Sequence, residues 1–252
     1  MNNNFNIKRF INTFVWTLEA SKKELITSVV SLFFVFSLVL TLGSTTTFFN
    51  NIEFASGFCT GLFFVYIMIS GCWIGSNLKT KQQIIMYKML PASNLERFLS
   101  RYFYITFIWI MGGILAFAAA DLVQIIVNII IGNEVNSSIP FIYITISDGS
   151  EEGLPFIEFL AMYLVYVWIH SLYILGGVFF RKNQFVLTTL VNIVLAIVLT
   201  KIIKETGIFI FIDDIQTTFI IVFLILLIAL NYYLSYKLFC RIQVINNKWI
   251  NL

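Results

Sequence analysis

Six long apolar stretches punctuate the chain, at about 25–42, 56–76, 102–124, 157–180, 184–201 and 217–236. Each comes close to or exceeds the roughly 20 mostly apolar residues that a helix needs to cross about 30 Å of hydrocarbon. None shows the alternation of a barrel strand, and unpaired backbone groups are costly in lipid, so helices are the economical reading. The pattern predicts an all-α polytopic membrane protein: one transmembrane domain, 1–252, with six transmembrane helices.

The stretches between the spans have their own periodicities. Ile7, Phe10, Ile11, Phe14, Val15 and Leu18 recur at helical spacing, with Lys8, Arg9, Asn12, Thr13 and Glu19 on the other side. An amphipathic helix within 1–24 is expected, lying in the membrane interface or packed on a partner protein. In the 77–101 loop, Ser93 and Glu96 have the spacing of a capping box, and Pro91 disfavours helix at Leu90, so a helix should begin near Asn94. Leu95, Phe98, Leu99 and Tyr102 then share one face. That stripe either packs on its own bundle or serves as a knob for a soluble subunit. The 132–155 loop is acidic and base-free, and 202–216 carries the apolar run 208–212, which fits a re-entrant segment or a surface cap.

Charge adds orientation. Of 16 Lys and Arg residues, four fall in 1–24, five in 77–101, two at Arg181 and Lys182 and three in 237–252; only Lys201 and Lys204 lie on the other side. Short basic loops stay in the cytoplasm, so both termini are expected there. The same distribution argues against a nucleic-acid partner, since topology already accounts for the bases. Composition agrees with the spans: 59% hydrophobic and 12% charged residues leave too little polar surface for a soluble globule. No cleavable signal peptide is expected, because the first apolar run follows Lys22, Lys23 and Glu24 and has no small-residue cleavage site. Cys59, Cys72 and Cys240 do not pair on one oxidising face. The leaning toward Asn, Ile, Lys and Phe suggests an AT-rich bacterial genome, and hence the cytoplasmic (inner) membrane. The sequon Asn136-Ser137-Ser138 matters only in a eukaryotic secretory route.

Polar residues inside spans are candidates for function. Asp121 and Glu158 each fall about 30–35 Å from the inner basic residues, at the outer boundary, where they ring a vestibule or mark solvent-facing helix ends. His170 falls near the bilayer centre, with Asn192 and Asn231 as candidate hydrogen-bond partners. One histidine without clustered carboxylates or thiols makes no metal site. Gly57 with Gly61, and Gly71 with Gly75, fit G-x-x-x-G and would let another helix approach closely.

Catalytic machinery is not legible. Glu151-Glu152 resembles the paired glutamates of an intramembrane protease family, but Phe156 stands where an arginine is needed and only one histidine exists. No nucleophile and base share a depth, and no nucleotide loop of the form G-x-x-x-x-G-K-[ST] is present. The chain reads as not an enzyme.

The whole layout resembles the membrane subunit of ABC-2-type exporters, with 5–20, 89–101 and 205–216 standing for the interfacial, coupling and re-entrant helices of that family. The specific likeness lies in Leu90-Pro91-Ala92-Ser93-Asn94-Leu95-Glu96-Arg97-Phe98-Leu99. The resemblance implies a permease subunit that pairs with a second copy or a paralogue amid membrane lipid. ATP and Mg would be bound by a separate ATP-binding cassette subunit at the cytoplasmic face, not by this chain. Ser93, Leu95, Glu96, Arg97, Phe98, Leu99 and Arg101 would form the coupling contact, with Leu95, Phe98 and Leu99 as buried anchors and Arg97 and Arg101 as polar rim. The alternative is a non-transporting multi-pass accessory, immunity or assembly protein.

Overall fold

The computed structural model describes residues 5–46, 52–78, 80–133, 135–140, 156–206 and 214–242. Among them the protein is helical throughout: α1 (Ile7–Thr45), α2 (Ile52–Ser70) continuing as a 3-10 segment (Gly71–Leu78), α3 (Lys81–Lys88), α4 (Asn94–Phe103), a π-helical turn (Tyr104–Ile108), α5 (Trp109–Ile131), α6 (Phe156–Phe179), α7 (Gln184–Thr206) and α8 (Asp214–Cys240). Six helical runs are long and apolar enough to cross a membrane: Ile7–Thr45, Ile52–Ser76, Asn94–Ile131, Leu160–Phe179, Gln184–Ile202 and Thr218–Cys240.

Two boundaries differ from those expected. The amphipathic segment and the first span are one continuous helix of 39 residues. The reason is local: no Gly or Pro occurs between Ile7 and Leu42, and Lys22-Lys23-Glu24 are good helix formers. In the segment expected to be re-entrant or a surface cap, residues 202–206 extend α7 and 214–216 open α8, while 207–213 lie outside the described residues. Most of the acidic 132–155 loop and the Glu158 side chain also lie outside them.

The chain forms two compact units. One comprises 21–67 and 106–154, the other 1–20, 68–105 and 155–252. In the first, Phe36, Val39 and Leu40 of α1, Ala55 and Cys59 of α2, and Ala116, Phe117 and Ala120 of α5 form a buried cluster. The rings of Phe36 and Phe117 meet edge to face at 5.6 Å. In lipid no hydrophobic force drives helices together, so packing of small against large residues must do so. Gly113 supplies the small partner, since a Cβ there would lie 2.6 Å from the Phe63 ring. Helix α5 ends on Gly132, whose φ of 80° is left-handed and lets the chain reverse.

In the second unit the 3-10 segment packs on α6, and α6 on α7 and α8. A glycine seam permits the first contact. A Cβ at Gly71 would lie 2.9 Å from Ile174 N, one at Gly75 2.5 Å from Gly177 O, and one at Gly177 2.7 Å from Cys72 O. Gly57 and Gly61 face open space, with nothing within 4 Å of an added Cβ. The two G-x-x-x-G pairs are therefore not equivalent: one is closed against α6 and the other meets nothing among the described residues. Helix α8 is tied to α6 by Asn231 Nδ2 donating to Ser171 Oγ at 2.9 Å.

Candidate functional site

The 80–103 segment folds as a helical hairpin, and both of its helices start on a reciprocal cap. At α3, Gln83 N donates to Thr80 Oγ1 at 3.3 Å while Thr80 N donates to Gln83 Oε1 at 3.1 Å. At α4, Glu96 N donates to Ser93 Oγ at 3.2 Å and Ser93 N to Glu96 Oε2 at 2.8 Å. The Ser93–Glu96 box and the helix start at Asn94 are as the spacing predicts. Helix α3 is the element missed in the sequence, although Thr80-x-x-Gln83 is the same signature.

The turn between the helices is held by Arg97. Its Nη2 donates to the carbonyls of Lys88 at 2.9 Å and Leu90 at 2.6 Å, capping the end of α3. Tyr87 closes the hairpin from within, donating its hydroxyl to Arg97 O at 2.8 Å. Lys88 Nζ donates to Ile242 O beyond α8.

Glu96 joins the hairpin to the start of α1. Its Oε1 accepts from Asn6 N and Arg9 Nη2, both at 2.8 Å. Burial pushes the carboxyl upward, but the amides of Ser93 and Asn6 and the Arg9 guanidinium outweigh it and hold the group below the ordinary carboxylate value. Further along, Thr17 and Ser100 hydroxyls lie 3.4 Å apart, and the Phe10 ring meets Phe103 at 5.8 Å. The threonine edge of α1 thus packs on α4, leaving Ile7, Ile11 and Val15 exposed.

Several expected contact residues turn inward. Phe98 is 6% exposed and sits edge to face on Tyr236 and Phe239 of α8, at 5.6 and 5.5 Å. It anchors α4 to its own bundle. Arg101, expected on a polar rim, is 2% exposed: its Nη1 donates to Ile74 O at 2.7 Å and its guanidinium lies 4.3 Å from the Tyr87 ring centre. Glu96 is buried as well, and Leu99 half-buried. The physical reason is common to these residues: α4 runs against α8 and the 3-10 segment, so one face of its stripe is consumed internally.

What remains outward is a different apolar set. Ile85 and Met86 on α3, Met89 in the turn and Leu95 on α4 are exposed, Met89 at 78%. Lys81, Lys88 and Asn94 flank them. Methionine side chains are adaptable and common at docking surfaces. Only Leu95 of this set was foreseen, because a solvent-exposed Met in a loop has no periodic signal.

The intramembrane candidates also settle differently. His170 Nδ1 faces Met68 O at 3.4 Å, and Asn231, expected beside it, binds the next residue, Ser171. Asn192 is half-exposed on α7. Asp121 is 2% exposed, not at a solvent-facing helix end, because the chain reversing at Gly132 covers it with Ser137 and Ser138.

Fold and site together define a multi-pass helical membrane protein bearing a doubly capped hairpin with an exposed apolar tip. No family model matches the sequence, and no curated protein or solved structure does so either.

Proposed function

We propose that this chain is the membrane-spanning subunit of an ATP-driven exporter of the ABC-2 type, working as a dimer with a second copy or a paralogue. Both termini lie in the cytoplasm, in keeping with the basic residues on that side. The exposed apolar residues Ile7, Ile11 and Val15, on the cytoplasmic extension of the first span, meet lipid at the border of the bacterial inner membrane. A separate ATP-binding cassette subunit, carrying ATP and Mg, grips the hairpin of α3 and α4, and its dimerisation on ATP drives the spans between inward- and outward-facing states.

The observation that carries this reading is the exposed tip of Met86, Met89 and Leu95 on a hairpin whose ends, turn and base are all fixed by hydrogen bonds. A rigid element can transmit displacement, and an apolar tip flanked by Lys81 suits a pocket with an acidic margin. Leu95 and Met89 replace Phe98 as anchors. The test is affinity purification from native membranes, with identification of any co-purifying protein that carries a nucleotide loop. Met89→Asp and Leu95→Asp should each lower recovery of that protein roughly a hundredfold, about 3 kcal/mol, while insertion and thermal stability are unchanged. Undiminished recovery with both variants, or the lack of any co-purifying protein with a nucleotide loop, removes the assignment.

A further inference from the structure

Where the hairpin meets the end of α8, the structure holds a cavity of about 210 Å³. Tyr87, Lys88, Asn94 and Arg97 border it from the hairpin, and Cys240 and Ile242 from the end of α8 and just beyond. All of these residues belong to one compact unit. The volume is far above the roughly 10–15 Å³ that admits a single water.

The walls offer donors. Lys88 Nζ gives one hydrogen to Ile242 O, which leaves two of its three. Arg97 Nη2 is spent on the carbonyls of Lys88 and Leu90, at 2.9 and 2.6 Å, while Arg97 Nε is buried with no acceptor. Asn94 turns its Oδ1 to Arg97 Nη1 at 3.5 Å, so the end of the amide left over is again a donor. A buried donor without an acceptor is costly.

Charge points the same way. Arg97 and Arg101 are cations at any accessible pH, and their guanidinium carbons lie 6.0 and 4.3 Å from the centre of the Tyr87 ring that borders the cavity. No free acid stands against them. Glu96 is the only Asp or Glu between Glu53 and Asp121, and none occurs in 215–252. The Glu96 oxygens are themselves taken by Asn6, Arg9 and Ser93. Fixed positive charge and unspent N–H groups therefore converge on one cavity without a counter-ion from the chain.

We propose that this cavity binds a phosphate group, carried by an anionic membrane lipid or free in solution. A phosphate presents several acceptor oxygens around one centre, and Arg and Lys are its usual protein partners. Here Lys88 supplies two hydrogens and Arg97 its Nε–H. The bound group would fasten the hairpin to the end of α8, so occupancy and the stability of that joint are linked. The site lies apart from the exposed Met89 and Leu95 and does not rest on the exporter reading.

Cys240 is a reporter already in place, since it borders the cavity and is partly exposed, whereas Cys59 and Cys72 are buried. Full-length protein in uncharged detergent is treated with N-ethylmaleimide, and alkylation of each cysteine is followed by mass spectrometry. The probes are dioctanoyl phosphatidylglycerol, with zwitterionic dioctanoyl phosphatidylcholine as its control, and sodium phosphate, with sodium chloride of equal ionic strength. A probe at ten times its dissociation constant should slow alkylation of Cys240 roughly tenfold and raise the melting temperature by at least about 3 °C. Lys88→Met should remove both effects and Lys88→Arg retain them. Protection by phosphatidylglycerol alone assigns the phosphate to a membrane lipid; protection by sodium phosphate assigns it to the free ion. Phosphate also stabilises proteins by exclusion from their surface, so a melting shift without protection of Cys240 overturns the proposal. So does equal protection by phosphatidylcholine, protection that survives Lys88→Met, or no protection by either anionic probe. If Lys88→Met folds poorly, the labelling of the unaltered protein still decides.

Discussion

Replacing Glu96 by Gln asks whether the joint between α1 and α4 is stabilising or merely present. The carboxylate accepts three hydrogen bonds, from Ser93 N, Asn6 N and Arg9 Nη2. Loss of a helix cap typically costs about 1 kcal/mol. The Arg9 ion pair is half covered, with Arg9 29% exposed beside a carboxylate at 0%, and screening through the Arg9 side holds its contribution to about 1 kcal/mol. Gln retains one acceptor oxygen, so the net loss for Glu96→Gln is about 1–2 kcal/mol, and that for Glu96→Ala, which leaves two amides without partners, about 2–4 kcal/mol. The assay is equilibrium unfolding in mixed micelles, with Arg9→Met to complete a double-mutant cycle; the coupling should be about 0.5–1 kcal/mol. The pH dependence follows the sign of the shift. The folded carboxyl titrates below its unfolded value of 4.5, so its contribution is complete above that pH and is lost as pH falls through the lower, folded value. Glu96→Gln should remove that acid-side dependence. A variant with unchanged stability at neutral pH and an unchanged acid transition would refute the reasoning.

Two further substitutions bear on packing. Gly75→Ala places a Cβ 2.5 Å from a backbone carbonyl and should destabilise the protein by about 1–3 kcal/mol, whereas Gly61→Ala, in open space, should be neutral or stabilising by up to about 1 kcal/mol; equal thermal shifts for the two would contradict the seam. Asn231→Leu should cost about 0.6–1.7 kcal/mol in unfolding measurements by removing its bond to Ser171, the range for hydrogen bonds between membrane helices, and a loss within error would make that bond idle.

Local chemistry was legible in the sequence, and tertiary placement was not. The Ser93–Glu96 cap and the start of α4 could be read because both partners lie within one turn. The six apolar runs could be read because lipid imposes length and composition on any helix that crosses it. Phe98 illustrates the limit: its periodicity assigns a face to α4 but does not say whether α8 or another protein covers that face. Asp121 shows a second limit. Rise per residue gives its distance along the helix, but whether it meets water depends on a reversal at Gly132 and on two serines that follow it. Helix α3 was readable from Thr80 and Gln83, whose spacing is that of Ser93 and Glu96, but it has no apolar stripe to mark it.

The seam at Gly71, Gly75 and Gly177 also bears on how this gene can drift. Every glycine codon begins with two guanines, and any single-base change there that alters the amino acid installs at least a Cβ. In a chain whose residues lean toward codons rich in A and T, mutational pressure runs against guanine continually. These three positions are then where that pressure and selection meet most directly, while the many phenylalanines facing outward can exchange with leucine or isoleucine at little cost.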